Sequence, residues 1–189
     1  GNLVTRSSAA APVEIVEPLL VLEKSVTPTS GTPGDTVFFD ILLYHDSTSR
    51  APAYNVAITD VVPTGLNYLS TSWDQVSGPL ADVLLSDSDS PVLTGGWDEI
   101  PTTTNITSPI KLRYNAVVST EAALGSAFTN TITTTWMSLA ADTFGERRDG
   151  SGDINDYVTS GDADVSLDEV RLSKTGPATV TAGREITYT

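Results

Sequence analysis

Residues 128–136 read Phe-Thr-Asn-Thr-Ile-Thr-Thr-Thr-Trp, and this stretch decides the fold of the chain. Threonine occupies every second position, while Phe128, Asn130, Ile132 and Trp136 share the opposite set of positions. Successive side chains of a β-strand point to opposite faces, so this period of two residues predicts a strand. One face of that strand should be buried, and the polar Asn130 lies on it.

The same alternation recurs elsewhere in the chain. Apolar residues occupy every second position at residues 37–43 and again at 112–118. Turn-forming stretches rich in Pro and Gly separate the strands, at residues 32–35, 63–65 and 95–96. Several short strands at this spacing, with almost no helical pattern, predict an all-β fold: a Greek-key β-sandwich with long loops.

The composition limits the partners that the chain can have. Its 189 residues are 39% hydrophobic, which is enough for one domain with a core. The formal net charge is −14, and a strongly negative surface repels nucleic acid and anionic membranes. The opening residues contain no long apolar run, so we expect no membrane insertion of this segment. There is no cysteine, so an exported protein of this sequence would need a stabilising device other than a disulfide.

A weak internal repeat runs through the chain. Residues 22–24, Leu-Glu-Lys, precede Gly34, and residues 172–174, Leu-Ser-Lys, precede Gly183 at nearly the same distance. A strand-like stretch follows each glycine, and the second one stops at Thr189 in mid-strand. A repeat of this length indicates tandem modules, the second of which is incomplete here.

The repeat predicts three parts. Residues 1–17 form a linker or incoming segment, residues 18–168 form a β-sandwich repeat, and residues 169–189 form the first strands of a following repeat. The strand within 170–189 is either truncated or pairs with a neighbouring repeat or subunit, because an unpaired strand edge invites such pairing.

Three polar residues lie on the apolar faces of three predicted strands. Lys24 follows two alternate leucines, Asp60 follows an alternate valine and isoleucine, and Asn130 lies between Phe128 and Ile132. A buried amine, acid or amide costs several kcal/mol unless it has a polar partner. We therefore expect the three side chains to meet in the core.

These three groups have the chemistry of a spontaneous cross-link. A neutral Lys24 amine can attack the carboxamide carbon of Asn130, with ammonia as the leaving group. Burial lowers the pKa of an amine and raises that of an acid, so a protonated Asp60 can polarise the Asn130 carbonyl and shuttle the proton. The folded core supplies the effective molarity that an enzyme would otherwise supply. The prediction is one self-modification without turnover, and no enzymatic activity.

Two other arrangements fit the same residues. One is a buried Lys24–Asp60 salt bridge with Asn130 hydrogen-bonded beside it. In the other, Lys24 extends outward to solvent at the end of its strand. Asp40 is the reserve candidate for the acid.

Several motifs accompany these residues. They are Lys24 with Thr-Pro-Gly-Asp at 32–35, His-Asp-Ser at 45–47, Ala-Tyr-Asn-Val at 53–56, Ile-Thr-Asp-Val-Val-Pro-Thr-Gly-Leu at 58–66, and Asn-Thr-Ile at 130–132. With these motifs the chain resembles the repeat domains of long bacterial surface proteins, which are related to the isopeptide-forming domains of fimbrial shafts. The resemblance covers roughly residues 19–168 and restarts at 170. It implies an exported protein with tandem modules and a structural or adhesive role, and it implies the same cross-linking roles for Lys24, Asp60 and Asn130.

A glycine-rich acidic stretch is a candidate calcium site. Asp149, Asp153, Asn155 and Asp156 cluster oxygen ligands of the kind that calcium prefers, although their spacing is not that of an EF-hand. Residues 86–90, Ser-Asp-Ser-Asp-Ser, are a weaker version of the same signal and are expected to form an exposed loop. The alternative for both stretches is a simply solvated surface.

The tryptophans and the one histidine are the remaining candidates. Trp73 and Trp97 lie near Gly- and Asp-bearing loops and are candidates for a carbohydrate-stacking platform, whereas Trp136 should belong to the core. His45 is the only histidine, which excludes a His-rich metal site and argues against a Ser-His-Asp hydrolase.

The sequence therefore predicts an extracellular structural repeat module of a bacterial surface or filament protein, stabilised by a Lys–Asn isopeptide bond and requiring no cofactor. The alternative is an adhesin module that binds carbohydrate or protein, and a third class is a non-catalytic appendage of a secreted enzyme.

Overall fold

The alternating segments of the sequence form two β-sheets. The computed structural model describes residues 12–14, 16–78, 84–140, 157–168, 175–176, 179 and 181–185. Within these ranges eleven strands form. They are β1 (Leu20–Thr27), β2 (Ser30–Gly31), β3 (Thr36–His45), β4 (Ala53–Val61), β5 (Leu66–Tyr68), β6 (Asp74–Ser77), β7 (Ser86–Asp89), β8 (Val92–Ile100), β9 (Ile110–Val118), β10 (Ala127–Met137) and β11 (Val158–Leu167).

The two sheets have different strand orders. Sheet I has the order β1-β3-β9-β5, and β6 also pairs with β9. Sheet II has the order β2-β11-β10-β4-β8-β7. The pairs are antiparallel except for the short parallel contact between β2 and β11. The chain passes from one sheet to the other at most of its connections, as Greek-key connections require, and the predicted all-β sandwich is confirmed.

The core lies between the two sheets, where the inward positions of each strand meet. In β9 the alternate residues Leu112, Tyr114 and Ala116 are fully buried, while Lys111 and Arg113 face solvent. This is the pattern that a half-buried antiparallel strand produces. Among the described residues, the buried polar side chains include Lys24, Asp60 and Asn130, as their place on the apolar faces predicts.

Strand β11 of sheet II lies directly against β1, the edge strand of sheet I. The contact is closest at Gly161, where an added Cβ would lie 2.9 Å from the Leu22 carbonyl oxygen and 3.2 Å from the Lys24 nitrogen. Both neighbours are backbone atoms, so a side chain at this position would force the strands apart. Glycine therefore sets how closely β1 approaches sheet II.

The predicted boundaries at 17/18 and 168/169 stay predictions. The last strand observed, β11, ends at Leu167. Lys174 of the second repeat copy and most of residues 1–17 and 169–189 lie outside the described residues. No helix in the described part of the chain has the length and apolar character needed to cross a membrane.

Candidate functional site

Four buried side chains from four strands meet between the sheets. Lys24 on β1 and Tyr114 on β9 project from sheet I, whereas Asp60 on β4 and Asn130 on β10 project from sheet II. The pairing of Asp60 with Ile132 places Asp60 diagonally across from Asn130 on the same inward face. Strand alternation thus brings the three predicted residues together, and it adds a fourth.

A continuous chain of hydrogen bonds joins the four residues. Lys24 Nζ lies 2.6 Å from Asp60 Oδ2, with both side chains fully buried. The Tyr114 hydroxyl donates to Asp60 Oδ1 at 3.2 Å, and Asn130 Nδ2 donates to the Tyr114 oxygen. The predicted direct contact between Asp60 and the Asn130 carbonyl is absent from this arrangement, because the tyrosine hydroxyl lies between the acid and the amide.

The Asn130 carbonyl oxygen is the one group of this cluster without a partner. Oδ1 is buried and forms no hydrogen bond within the described part of the chain. An unpaired buried acceptor is costly, and native cores contain few of them.

Aromatic rings enclose the amine. Lys24 Nζ lies 5.1 Å from the Phe39 ring centroid and 5.5 Å from that of Tyr114. The two rings stack at 5.0 Å, and the rings of Tyr68 and Trp73 pack edge-on against Tyr114 at 6.0 and 5.8 Å. These rings exclude water from the site, which weakens solvation of any charge in it.

Burial favours the neutral form of the three ionisable groups in the site, Lys24, Asp60 and Tyr114. Desolvation lowers the pKa of Lys24 to about 8, although the neighbouring Asp60 carboxylate opposes the shift. Desolvation likewise raises the pKa of Asp60 above its usual value, against the pull of Lys24. Burial, together with the Asp60 charge, raises the pKa of Tyr114, so its hydroxyl stays protonated. The amine is thus easier to deprotonate, and the acid easier to protonate, than either would be in water.

The structure shows the first alternative arrangement, a buried Lys24–Asp60 salt bridge with Asn130 hydrogen-bonded nearby through Tyr114, and it excludes the other placements of Lys24 and of the acid. The Lys24 amine does not extend to solvent, because its side chain is fully buried. Asp40 lies on the outer face of β3, where both carboxylate oxygens bind Arg113 at 2.7 and 2.9 Å. With 34% of its side chain exposed, Asp40 is corrected from a reserve acid to a surface ion-pair partner.

The two candidate stacking tryptophans are buried, and that prediction is corrected. Trp73 is 8% exposed and donates its indole N–H to the Thr94 carbonyl at 2.8 Å. Trp97 is 4% exposed and lies in the core cluster, facing inward from β8. Neither offers an open ring face to a sugar. Their flanking Gly- and Asp-bearing segments suggested loops, but pairing of β8 with β4 turns Trp97 inward.

The candidate calcium ligands Asp149, Asp153, Asn155 and Asp156 lie outside the described residues, so calcium stays a prediction. Among the residues described, no group of three or more His, Asp or Glu side chains could hold a metal ion.

The weaker acidic stretch is not the loop that the sequence predicts. Residues 86–89 form β7, and the Asp87 carboxylate accepts hydrogen bonds from the Tyr68 hydroxyl and the Thr71 amide at 2.8 and 2.9 Å. The Asp87 carboxylate therefore ties β7 to residues 68 and 71, next to β5. Strand formation prevailed because residues 86–89 pair with the strong neighbouring strand β8.

His45 is the last residue of β3, and both of its ring nitrogens form hydrogen bonds that hold the side chain in place. Its Nε2 bonds the Ile100 carbonyl at 2.9 Å, and since a carbonyl only accepts, Nε2 carries the proton. Nδ1 therefore accepts from the Ser49 hydroxyl at 2.7 Å. Desolvation lowers the pKa of His45 and keeps it neutral.

Tyr114 is the site residue that the sequence analysis missed. Its inward position on β9 was predicted, but only as part of the apolar face. The available signal was its hydroxyl, because a buried tyrosine usually finds a hydrogen-bond partner. That signal says that a partner exists and leaves open which residue it is.

No protein-family model and no curated protein sequence matches this chain. Solved structures do match. BcpA, the major pilin subunit of Bacillus cereus, aligns at a TM-score of 0.52 and 12% identity, over 79% of this chain and 40% of the pilin chain. A variant of the same subunit aligns at 0.51 and 11% identity over the same shares. This chain thus spans less than half the length of that pilin. The likeness establishes the fold. As far as the fold is concerned, it confirms the predicted resemblance to fimbrial shaft domains.

Proposed function

We propose that this chain is an extracellular structural module whose two sheets are joined by an amide bond between Lys24 and Asn130. The observation that carries the proposal is the fully buried Lys24–Asp60 contact, connected to Asn130 through one hydroxyl. A buried ion pair by itself gives little or no stability over well-packed apolar residues. A reactive role accounts for these groups better than a stabilising one.

The reaction needs no outside reagent. Lys24 Nζ forms a bond to the Asn130 side-chain carbonyl carbon, and the bond from that carbon to Nδ2 breaks. Asp60 accepts the proton that Nζ loses, and Nδ2 leaves as ammonia after gaining a proton. The products are one secondary amide and one ammonia, and the acid ends in the protonation state in which it began.

A mechanical role follows from where the bond would lie. It would connect β1, the edge strand of sheet I, to β10 in sheet II. Force applied along the chain would then pass through a covalent tie near the beginning of the module. The pilin-like fold supports a place outside the cell. The sequence repeat at 172–174 supports joining to further repeats or subunits through residues 170–189.

Intact mass tests the proposal directly. The purified chain should weigh one ammonia less than its sequence, and digestion should yield a branched peptide that contains both Lys24 and Asn130. Lys24→Arg and Asp60→Asn should each restore the full mass, because one removes the nucleophile and the other the acid. Lys111→Arg is the matched control, since Lys111 is exposed on the outer face of β9, and it should keep the deficit. A wild-type chain of full mass would refute the cross-link.

The alternative role, recognition of a carbohydrate or protein ligand, gains no support at the two predicted tryptophans, because both are buried.

A further inference from the structure

The acid and the leaving group of the cross-linking site do not touch each other. Asp60 uses Oδ2 for Lys24 and Oδ1 for Tyr114, and no hydrogen bond joins it to Asn130. Asn130 Nδ2 donates a hydrogen bond to the Tyr114 hydroxyl instead. A proton released by the amine reaches Asp60, but delivery to the departing nitrogen needs one more group.

We propose that the Tyr114 hydroxyl is that group: it hands its proton to Asn130 Nδ2 as ammonia leaves, and it is reprotonated by Asp60. This inference rests on the proposed cross-link and assigns a catalytic role to a residue that touches the reacting nitrogen.

The step balances without any external acid or base. In the reacting state the neutral acid carries its proton on Oδ1 and donates it to the Tyr114 oxygen, which reverses the hydrogen bond seen between these atoms, and Oδ2 is free to accept. As Lys24 Nζ bonds to the Asn130 carbon, Oδ2 takes a proton from Nζ. Tyr114 gives its proton to Nδ2 and receives the Oδ1 proton of Asp60. Asp60 and Tyr114 both end neutral, and only the oxygen that carries the acid's proton has changed.

Both hydrogen bonds of the Tyr114 hydroxyl run in the opposite direction in the structure, as expected before reaction, while Asp60 is ionised and Asn130 is an intact amide. In a planar amide the nitrogen lone pair is delocalised, so Asn130 Nδ2 donates and the tyrosine oxygen accepts. When the carbon becomes tetrahedral, the nitrogen regains a basic lone pair and can accept the tyrosine proton. The contact between the Tyr114 hydroxyl and Asn130 Nδ2 is therefore stronger in the tetrahedral state than in the starting amide. Catalysis requires an interaction of this kind, which favours the reacting state over the ground state.

The surroundings keep Tyr114 in place and protonated. Its ring stacks on Phe39 and meets the edges of Tyr68 and Trp73. The residue is fully buried, so water cannot replace its hydroxyl as the proton source. Burial also raises the pKa of the phenol, which therefore holds its proton until a base forms beside it.

The decisive variant is Tyr114→Phe, which keeps the ring and removes only the hydroxyl. Chains made by cell-free synthesis are sampled over time, and the fraction that has lost ammonia is measured by intact mass. We expect the variant to form the cross-link about a hundredfold more slowly, or slower still, because a general acid has been removed. Circular dichroism confirms that the variant is folded.

Tyr44→Phe is the matched control. The Tyr44 hydroxyl donates to Glu23 at 2.7 Å, away from the four residues of the site, so its removal should leave the rate unchanged. Cross-linking of Tyr114→Phe at the rate of Tyr44→Phe would overturn the role of Tyr114 while leaving the cross-link intact. A full-mass wild-type chain would refute the cross-link itself, and the role of Tyr114 with it.

A second measurement decides the matter if Tyr114→Phe does not fold. Site-specific replacement of Tyr114 by 3,5-difluorotyrosine keeps the ring and hydroxyl but makes the phenol more acidic. If the hydroxyl donates its proton as ammonia leaves, the rate of cross-linking at one fixed pH should change, because the efficiency of a general acid follows its acidity. A rate equal to that of the wild-type chain would overturn the proposal.

Discussion

At the scale of single residues, Lys24 and Asp60 share one proton in the reactive state. The ion pair and the neutral pair hold the same number of protons, so a change of pH does not interconvert them, and the two groups titrate as a unit. Reaction needs both the neutral amine and the protonated acid. Both are present together only when Lys24 and Asp60 hold one shared proton between them and that proton is on Asp60.

This coupling predicts a bell-shaped pH dependence for cross-link formation. Above about pH 8 the amine loses the last shared proton, because burial lowers the pKa of Lys24 to about 8, and the acid is then absent. At low pH a second proton joins the pair and removes the nucleophile. The rate should therefore fall on both sides, with the alkaline limb near pH 8. It is measured by intact mass after newly made chain is transferred to a series of buffers.

A simpler mechanism makes a different prediction. If a neutral amine alone were sufficient, the rate would rise with pH and stay high well above pH 8. A plateau that extends to strongly alkaline pH would thus contradict the role of Asp60. Lys111→Arg again serves as the control, because its side chain lies outside the site.

At the scale of elements, the approach of β1 to β11 controls the reach of Lys24. Gly161 lies where the two backbones come closest, and its strand neighbour across the pair is Ile132, two residues beyond Asn130. The edge strand can therefore lie close enough to sheet II for the amine to reach Asp60. In the proposed reaction, a small residue on one strand would allow a residue of another strand to react.

Gly161→Ala should slow cross-linking and lower stability together. The added methyl would lie 2.9 Å from the Leu22 carbonyl oxygen, so β1 must move away from sheet II. We expect a loss of about 1–3 kcal/mol in the free energy of unfolding, as for other overpacked cores. Denaturant unfolding and the time course of ammonia loss measure the two effects. Ser160→Ala, at an exposed neighbouring position, should change neither. An unchanged rate in Gly161→Ala would show that strand spacing does not limit the reaction.

At the scale of the whole molecule, the proposed bond closes a long loop. It joins positions 24 and 130 and so encloses about a hundred residues, which chain-entropy reasoning values at about 4–5 kcal/mol. The module would gain stability mainly because its unfolded state is restricted.

Comparison with an apolar replacement isolates that contribution. The double variant Lys24→Met/Asp60→Leu removes the nucleophile and the acid, and it leaves no unpaired charge in the core. The wild-type chain should unfold with a free energy about 4–5 kcal/mol higher, measured by denaturant titration. Equal stability of a cross-linked wild type and the double variant would contradict the loop-closure argument. A variant with only one of the two substitutions would not serve, because it would leave a buried charge without its partner.

Much of the fold and three of the four site residues follow from local pattern. The threonine alternation of residues 128–136 predicted a strand, and β10 covers all of them. The inward facing of Lys24, Asp60 and Asn130 followed from the same rule. Trp73 and Trp97 were predicted wrongly, because nearby Gly and Asp residues suggested loops, whereas pairing and packing bury both rings.

The sequence by itself determined which side of each strand every polar residue occupies, since alternation is a property of the backbone and needs no neighbour. Only the tertiary structure decided which of those residues meet. The insertion of Tyr114 between Asp60 and Asn130, and the close contact at Gly161, depend on how one sheet lies over the other. That arrangement results from packing between strands far apart in sequence, and no local pattern encodes it.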